Sequence, residues 1–188
     1  MNQKENIRRY LDEEIKVLKT ISVDNLNSLM EEIEKAREKG ATFYICGNGG
    51  SAATASHYCC DFNKGVSGCS DKNTNFVCLS DNIATITAIA NDISYDEIFS
   101  YQLKSRMKKD DVLFVISGSG NSKNIVKAME VAKEKGNKIL GLCGYNGGKV
   151  KEMSDVCVHV NIDNMQIVED VHRIVDHCLM FILAGYKF

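Results

Sequence analysis

Ala41-Thr42-Phe43-Tyr44-Ile45-Cys46-Gly47-Asn48-Gly49-Gly50-Ser51 is an apolar strand that runs into a glycine turn and then, from Ser51, into a helical pattern. The same order returns at Asp111-Val112-Leu113-Phe114-Val115-Ile116-Ser117-Gly118-Ser119-Gly120-Asn121-Ser122. Glycine accepts backbone dihedrals that other residues avoid, so such a turn bends sharply and leaves its N–H groups facing outward. The helix that follows adds the positive end of its dipole, and serine hydroxyls add further donors. Two such units on parallel strands open onto one edge of a sheet. They predict a site for a phosphorylated small molecule, with Ser51, Ser117, Ser119 and Ser122 as its specific donors.

Outward from these turns, further strand candidates fall at 75–79, 138–143 and 156–160, beside 41–46 and 112–116. Most are continuous apolar runs, as expected of strands covered on both faces. Helical spacing occupies 51–62, 83–91, 95–108, 122–135 and 147–153, and a last helix runs from Met165 to Ala184. Ser94-Tyr95-Asp96-Glu97 has the spacing of a capping box. Alternating βα units imply an α/β fold with a parallel, doubly wound sheet. Residues 1–40 precede it as two helices, carried by Ile7, Tyr10, Leu11, Ile15 and Leu18, then by Leu26, Leu29, Ile33 and Ala36. Asp24 is the expected N-cap of the second and Gly40 its stop. This pair has apolar faces of its own, which pack on another copy of the chain or on its own sheet. With no repeats, linkers or prolines, residues 1–188 read as one domain, the helical pair leading into an α/β core from 41.

The chain's 188 residues, 44% of them hydrophobic, can bury a full core. A formal charge of -2, with both signs mixed along the chain, argues against a nucleic-acid or anionic-membrane partner. The polar start Met1-Asn2-Gln3-Lys4-Glu5-Asn6 lacks a signal-peptide core, and the apolar run 178–184 is too short to span a bilayer. A cytoplasmic protein is expected. The eight cysteines form no C-x-x-C pair, so they read as reduced thiols acting as small buried hydrophobes.

Residues 47–52 also satisfy the dinucleotide pattern G-x-G-x-x-A. No acidic residue ends a second strand about twenty residues on, and a nucleotide fold leaves the second serine turn unexplained. Neither turn carries the Gly-Lys-Ser/Thr of a P-loop.

A second constellation is ionisable. His57 and Asp61 stand four apart on the helix that Ser51 opens, so they share a face. On the last helix Glu169, His172, Arg173 and His177 recur at helical spacings; Glu169 and His177, eight apart, return to one face and His172 points elsewhere. These are ligands for a zinc-like ion, an acid/base set without metal, or ordinary surface ion pairs. Spacing leaves all three open, and nothing local shows that the two helices meet.

Gly47-Asn48-Gly49-Gly50-Ser51 with His57, then Asn91-Asp92, the turn Ser117–Ser122 and the run Glu169–His177 together resemble the sugar isomerase (SIS) domain family, most of all its phosphoheptose isomerases. The resemblance spans nearly the whole chain, with the motifs in family order. It implies a five-stranded parallel sheet flanked by helices, in a homotetramer with active sites at subunit interfaces. A neighbouring subunit is then one source of the contact between the His57 helix and the last helix. It also implies aldose–ketose isomerisation of a sugar phosphate through an enediol, with zinc or another divalent metal.

Carried across, the metal ligands fall on His57, Asp61, Glu169 and His177, and the proton-transfer groups on Asp61, Glu169 and His177. Substrate contacts fall on Asn48, Gly49, Gly50, Ser51, Asp92, Ser117, Gly118, Ser119 and Ser122. Asp61 replaces a glutamate, Glu169 a glutamine, and Gly118 stands where many members carry threonine. Those departures keep an alternative in view, a non-catalytic module that binds a phosphosugar or a partner protein. The loop Lys64–Ser70 would shape the sugar end of the pocket.

Overall fold

The computed structural model describes residues 2–69 and 73–188. The leading helices are α1 (Gln3–Leu18) and α2 (Val23–Glu38). Next come β1 (Thr42–Cys46), α3 (Gly50–Cys60) with a π-helical turn at Asp61–Val66, β2 (Asn75–Cys78) and α4 (Ile83–Asp92). A short 3-10 turn at Tyr95–Glu97 leads to α5 (Ser100–Arg106), β3 (Val112–Ser117), α6 (Lys123–Glu134) and β4 (Lys138–Cys143). The chain ends with α7 (Gly148–Met153), β5 (Val156–His159) and α8 (Met165–Leu183).

The five strands pair in the order β2-β1-β3-β4-β5, all parallel. The chain leaves β1 for β2 on one side and then returns to place β3 on the other. The switch point of the sheet therefore lies between β1 and β3, where ligands bind in open α/β sheets. Both glycine turns sit there, side by side.

Strand periodicity divides the core into two layers. Phe43, Ile45, Val112, Phe114 and Ile116 face one side, with Leu29 and Ile33 of α2, Ala55 and Tyr58 of α3, and Val171 and Val175 of α8. Tyr44, Cys46, Leu113 and Val115 face the other, with Ile89, Leu103, Ile125, Met129 and Val150 from α4 to α7. Tyr58 packs edge-on to Phe114, their ring centroids 5.1 Å apart, and stacks on Phe62 at 5.4 Å. Such pairs each add roughly 0.5–1.5 kcal/mol beyond their area burial and fix α3 against the sheet.

The helical pair divides between the two expected destinations. α2 lies on its own sheet, with Leu29 and Ile33 fully buried. α1 reaches α8 through Tyr10, whose hydroxyl bonds the Asp170 carboxylate, and leaves Ile7, Leu11 and Ile15 exposed. The N-cap of α2 is Ser22, not Asp24; its hydroxyl accepts from the Asn25 N–H at 3.1 Å. Asp24 instead occupies the first turn, where a carboxylate still meets the helix dipole. Gly40 ends the pair at φ +68°.

The predicted helix 95–108 is a 3-10 turn followed by a shorter α-helix. Ser94 caps it by accepting from the Asp96 N–H at 3.0 Å, but Glu97 does not reach back. It is drawn away by Lys127 at 2.7 Å and Lys104 at 3.4 Å. The cysteines are free, as expected, yet Cys60, Cys69 and Cys178 are exposed, so they are not all buried hydrophobes. Lys64 stands exposed in the π-helical turn, and Ser70, at the far end of its predicted loop, lies outside the described residues. Among the described residues, no helix is long and apolar enough to cross a membrane.

Candidate functional site

At the switch point the two turns enclose a cleft of about 130 Å³ lined by Asn48, Ser51, Ile116, Ser117, Gly118, Ser119, Ser122, Met165 and Glu169. Local chemistry explains its form. Gly49 takes φ +55° at the start of α3, and neither α3 nor α6 has a side-chain N-cap bond. At α6 the Ile125 N–H donates to the Asn124 Oδ1 at 2.9 Å, but no cap side chain takes the N–H groups ahead of it or those that open α3, which is the condition for anion binding. Gly47 lets the chain fold onto α3, since a Cβ there would stand 2.6 Å from the Ser51 carbonyl.

The turns are tied together by Asn48 and Asn124, whose side-chain amides exchange two hydrogen bonds of 2.9 Å. The Tyr95 hydroxyl adds a third, donating to the Asn48 Oδ1 at 3.0 Å. Sequence reasoning missed Asn124 and Tyr95, because an asparagine inside a helix and a lone tyrosine carry no spacing signal.

Glu169 enters this cleft from α8. A Cβ at Gly50 would come within 2.2 Å of the Glu169 Oε2, so the missing side chain makes room for the carboxylate. Asp92 does not share the cleft. It lies exposed in a separate groove with Thr85, Ala88, Ile89, Ile93 and Tyr101.

One flank further along, α3 and α8 run side by side and do meet, within a single chain. The His57 Nε2 lies 3.1 Å from the His177 Nε2, with the rings edge-on at 5.2 Å between centroids. The Asp61 Oδ2 lies 3.4 Å from His57 and 3.8 Å from His177. Asp61 reaches them from the head of the π-helical turn, a feature frequent at functional sites. Gly65 allows this turn to press on α8, where a Cβ would meet the Met180 Cε at 2.6 Å.

Donor atoms of His57, Asp61, Asp176 and His177 all lie within 4.8 Å of one another. Glu169, named with this set from the resemblance, is not among the four, and Asp176 is. Asp176 is fully buried, its Oδ2 3.4 Å from Arg173 and its Oδ1 without a partner. Burial, then the nearby Asp61, pushes its carboxyl up to about 8, while Arg173 opposes the shift. Burial, then Arg173, lowers the His57 imidazole, against the pull of Asp61. His172 points elsewhere, as expected, into the core, where burial holds it at about 4. Asp176 did leave a trace in the sequence: with His172, four residues earlier, it interrupts the apolar stripe of α8.

The divalent ion that the resemblance implies is tested by separations. Two ligands of one zinc ion each lie about 2 Å from it, hence at most about 4 Å from each other. The distances of 3.1, 3.4 and 3.8 Å among His57, His177 and Asp61 meet that limit. The nitrogen and oxygen donors also suit a zinc-like ion. The residues fit.

Fold and turns define a doubly wound α/β protein whose ligand cleft lies at the switch point, with an acid–base cluster on the flanking helices. Comparison with known proteins narrows this. The SIS domain profile matches residues 8–144. A phosphoheptose isomerase of Helicobacter pylori (strain P12) is 38% identical over 163 residues, 84% of each chain. A probable phosphoheptose isomerase of Thermoplasma acidophilum is 33% identical over 92% of this chain and 94% of its own. The structure of a phosphoheptose isomerase from Neisseria gonorrhoeae superposes with a TM-score of 0.88 at 28% identity, covering 97% of this chain and 98% of that one. The chain belongs to the SIS domain family, and it is an isomerase.

Proposed function

We propose that the whole chain, residues 1–188, acts as one SIS domain that interconverts sedoheptulose 7-phosphate and an aldoheptose 7-phosphate. The observation that carries this is the alignment of two sites along one pair of helices. Glu169 meets Gly50 at the phosphate turns, and His177 meets His57 further down. From Gly50 to His57 is seven residues of helix, a rise of about 10 Å. An extended seven-carbon sugar covers that span from its phosphate to its carbonyl end; a triose phosphate does not. Curated relatives named phosphoheptose isomerase support the same reading.

The mechanism assigns each group a task. Ser51, Ser117, Ser119 and Ser122, with the backbone at Gly49, Gly50 and Gly118 and the side chain of Asn48, hold the phosphate end. A carboxylate, Asp61 or Glu169, takes the proton from C1 of the ketose while the C2 oxygen gains one, giving an enediol. Return of a proton to C2, with loss of the O1 proton, yields the aldehyde. His177 moves protons between the two oxygens. His57, Asp61 and His177 would hold zinc or another divalent ion, which polarises the carbonyl and hydroxyl oxygens when bound.

The active form is a homotetramer in the cytoplasm, with the exposed stripe of α1 turned toward a second copy, and Asp92 reaches substrate only from a neighbouring subunit. The test is incubation with sedoheptulose 7-phosphate in deuterated buffer, with and without zinc, followed by NMR. An aldose product labelled at C2 is expected. An unchanged ketose in both samples overturns the proposal.

A further inference from the structure

The cluster on α3 and α8 departs from the ligand set that the family resemblance gives, because it includes Asp176 and leaves out Glu169. We infer that Asp176 is the fourth ligand of the divalent cation held by His57, Asp61 and His177, and that Glu169 is left free in the substrate cleft as a proton-transfer carboxylate. This rests on the metal-assisted reading proposed above.

Three observations carry the assignment. The Asp176 side chain is wholly buried, yet its Oδ1 has no hydrogen-bond partner and its Oδ2 has only Arg173, at 3.4 Å. A buried carboxylate with an open oxygen is costly to keep unless a further positive partner completes it. Second, a ligand oxygen of Asp176 lies within 4.8 Å of the donors of His57, Asp61 and His177, so a shift of at most about 1 Å brings it inside the limit that the other three already meet. Asp61 and Asp176 are two acidic groups brought together, and a dication between them turns the mutual repulsion of their charged forms into binding. Two imidazoles and two carboxylates give four donors with a charge that balances a divalent ion.

The third observation concerns Glu169. Its carboxylate reaches into the space over Gly50, within 2.2 Å of where a Cβ would stand, and lines the cleft with Ser51 and Ser117. A carboxylate bound to a cation is a weak base, whereas one left free beside the sugar chain can accept a proton from carbon. The aspartate at 176 thus fills the coordination place that Glu169 leaves empty.

The test uses the full chain, freed of metal by chelator, in three forms: unchanged, Asp176→Asn and Glu169→Ala. Zinc affinity is read by competition with a chromogenic chelator, and geometry by the visible absorption of bound cobalt(II). Asp176→Asn should weaken zinc binding by about 100-fold and alter the cobalt spectrum, an effect at or above the upper end for groups that only orient ligands. Glu169→Ala, which leaves no ligand atom at this position, should bind zinc within about 3-fold of the unchanged protein, with the same cobalt spectrum, yet lose about 100-fold or more in turnover. Its loss of the metal, or full retention by Asp176→Asn, overturns the assignment. Melting in chelator shows whether Asp176→Asn folds. A zinc-edge anomalous map of unchanged crystals decides the matter without any variant. Zinc bonded to Asp176 supports the inference; zinc bonded to Glu169, or bound without Asp176, overturns it. If the unchanged protein takes up neither zinc nor cobalt, the metal-assisted reading itself fails.

Discussion

The Nε2 atoms of His57 and His177 stand 3.1 Å apart, although 120 residues separate them in the chain. One subunit therefore suffices to bring the two helices together. β1 and β3 are adjacent at the switch point, and α3 and α8 lie on the same face of the sheet, their inner residues in one core layer. The histidines meet because Tyr58 anchors α3 and Val171 and Val175 anchor α8 on that common layer.

His177→Ala should lower turnover of the sugar phosphate by about 100-fold or more, the usual scale for a lost acid/base group. His177 is an exposed side chain, so the melting temperature should move little. Activity assays and thermal melts run together check both halves; normal turnover by the variant would refute the scheme.

Gly120→Ala should be among the most damaging changes in the second turn. Gly120 sits at φ +66°, and a Cβ would come within 2.1 Å of the Gly147 carbonyl oxygen, a backbone atom that cannot swing aside. Gly120 also accepts a bond of 3.0 Å from the Val150 N–H, so the strain reaches α7. The expected cost is at least about 2 kcal/mol, or a melting temperature lower by roughly 4–8 °C, together with weaker phosphate binding. Calorimetry with and without inorganic phosphate reads both.

These positions mark the limits of the sequence. The turns at 46–51 and 117–122 were legible because glycine, serine and an apolar run each point to the same local geometry. The strands were legible because residues covered on both faces read as unbroken apolar runs. What spacing could not supply was the approach of α3 to α8, which depends on strand order and not on either helix alone. Asp176, whose trace was only an interruption of the α8 stripe, could not be placed for a related reason. Its burial follows from where α8 lands, and a charged residue on a helix reads as solvent-facing until that is known. Asp24 lost the cap to Ser22 through a shift of two residues, the scale on which helix ends are hardest to place.

His172 should make the protein sensitive to acid. Burial holds its pKa at about 4, below the ordinary value of 6.5. The unfolded chain binds this proton near pH 6.5 and the folded chain only near pH 4, so stability falls as pH drops across that window and is level above it. At pH 4.5 the loss from this one group is of the order of 2.5 kcal/mol relative to pH 7.5. His172→Leu removes the titration. Its urea midpoint should therefore decline less between those two pH values than that of the unchanged protein, and an equal decline would show that His172 titrates normally.

Gly118→Thr tests whether the missing hydroxyl of the second turn is compensated by packing. A Cβ at Gly118 would meet the Met165 Sδ at 2.4 Å, so Met165 occupies the room that a larger residue needs. The single variant should weaken sugar-phosphate binding by about tenfold, a cost of about 1.4 kcal/mol within the range for overpacking. Met165→Ala in the same chain should restore much of it. Binding isotherms for both variants give the comparison, and no rescue would mean that the clash is not the cause.

The outer stripe of α1 offers the test of assembly. Ile7, Leu11 and Ile15 recur every fourth residue and are 62%, 51% and 50% exposed, while Val17 on the inner side is buried. A helix that is apolar on both sides has two faces to cover, and its own chain, through α8, covers only one. If the stripe meets its equivalent on a second copy, every charge placed there is repeated in the partner across a two-fold contact. Leu11→Lys should then break the assembly into smaller species in light scattering, with a lower melting temperature. Glu5→Lys, at the exposed start of α1, should leave the mass unchanged. An unchanged protein that runs as a monomer at micromolar concentration would rule out this contact, because the three side chains would then already be solvated.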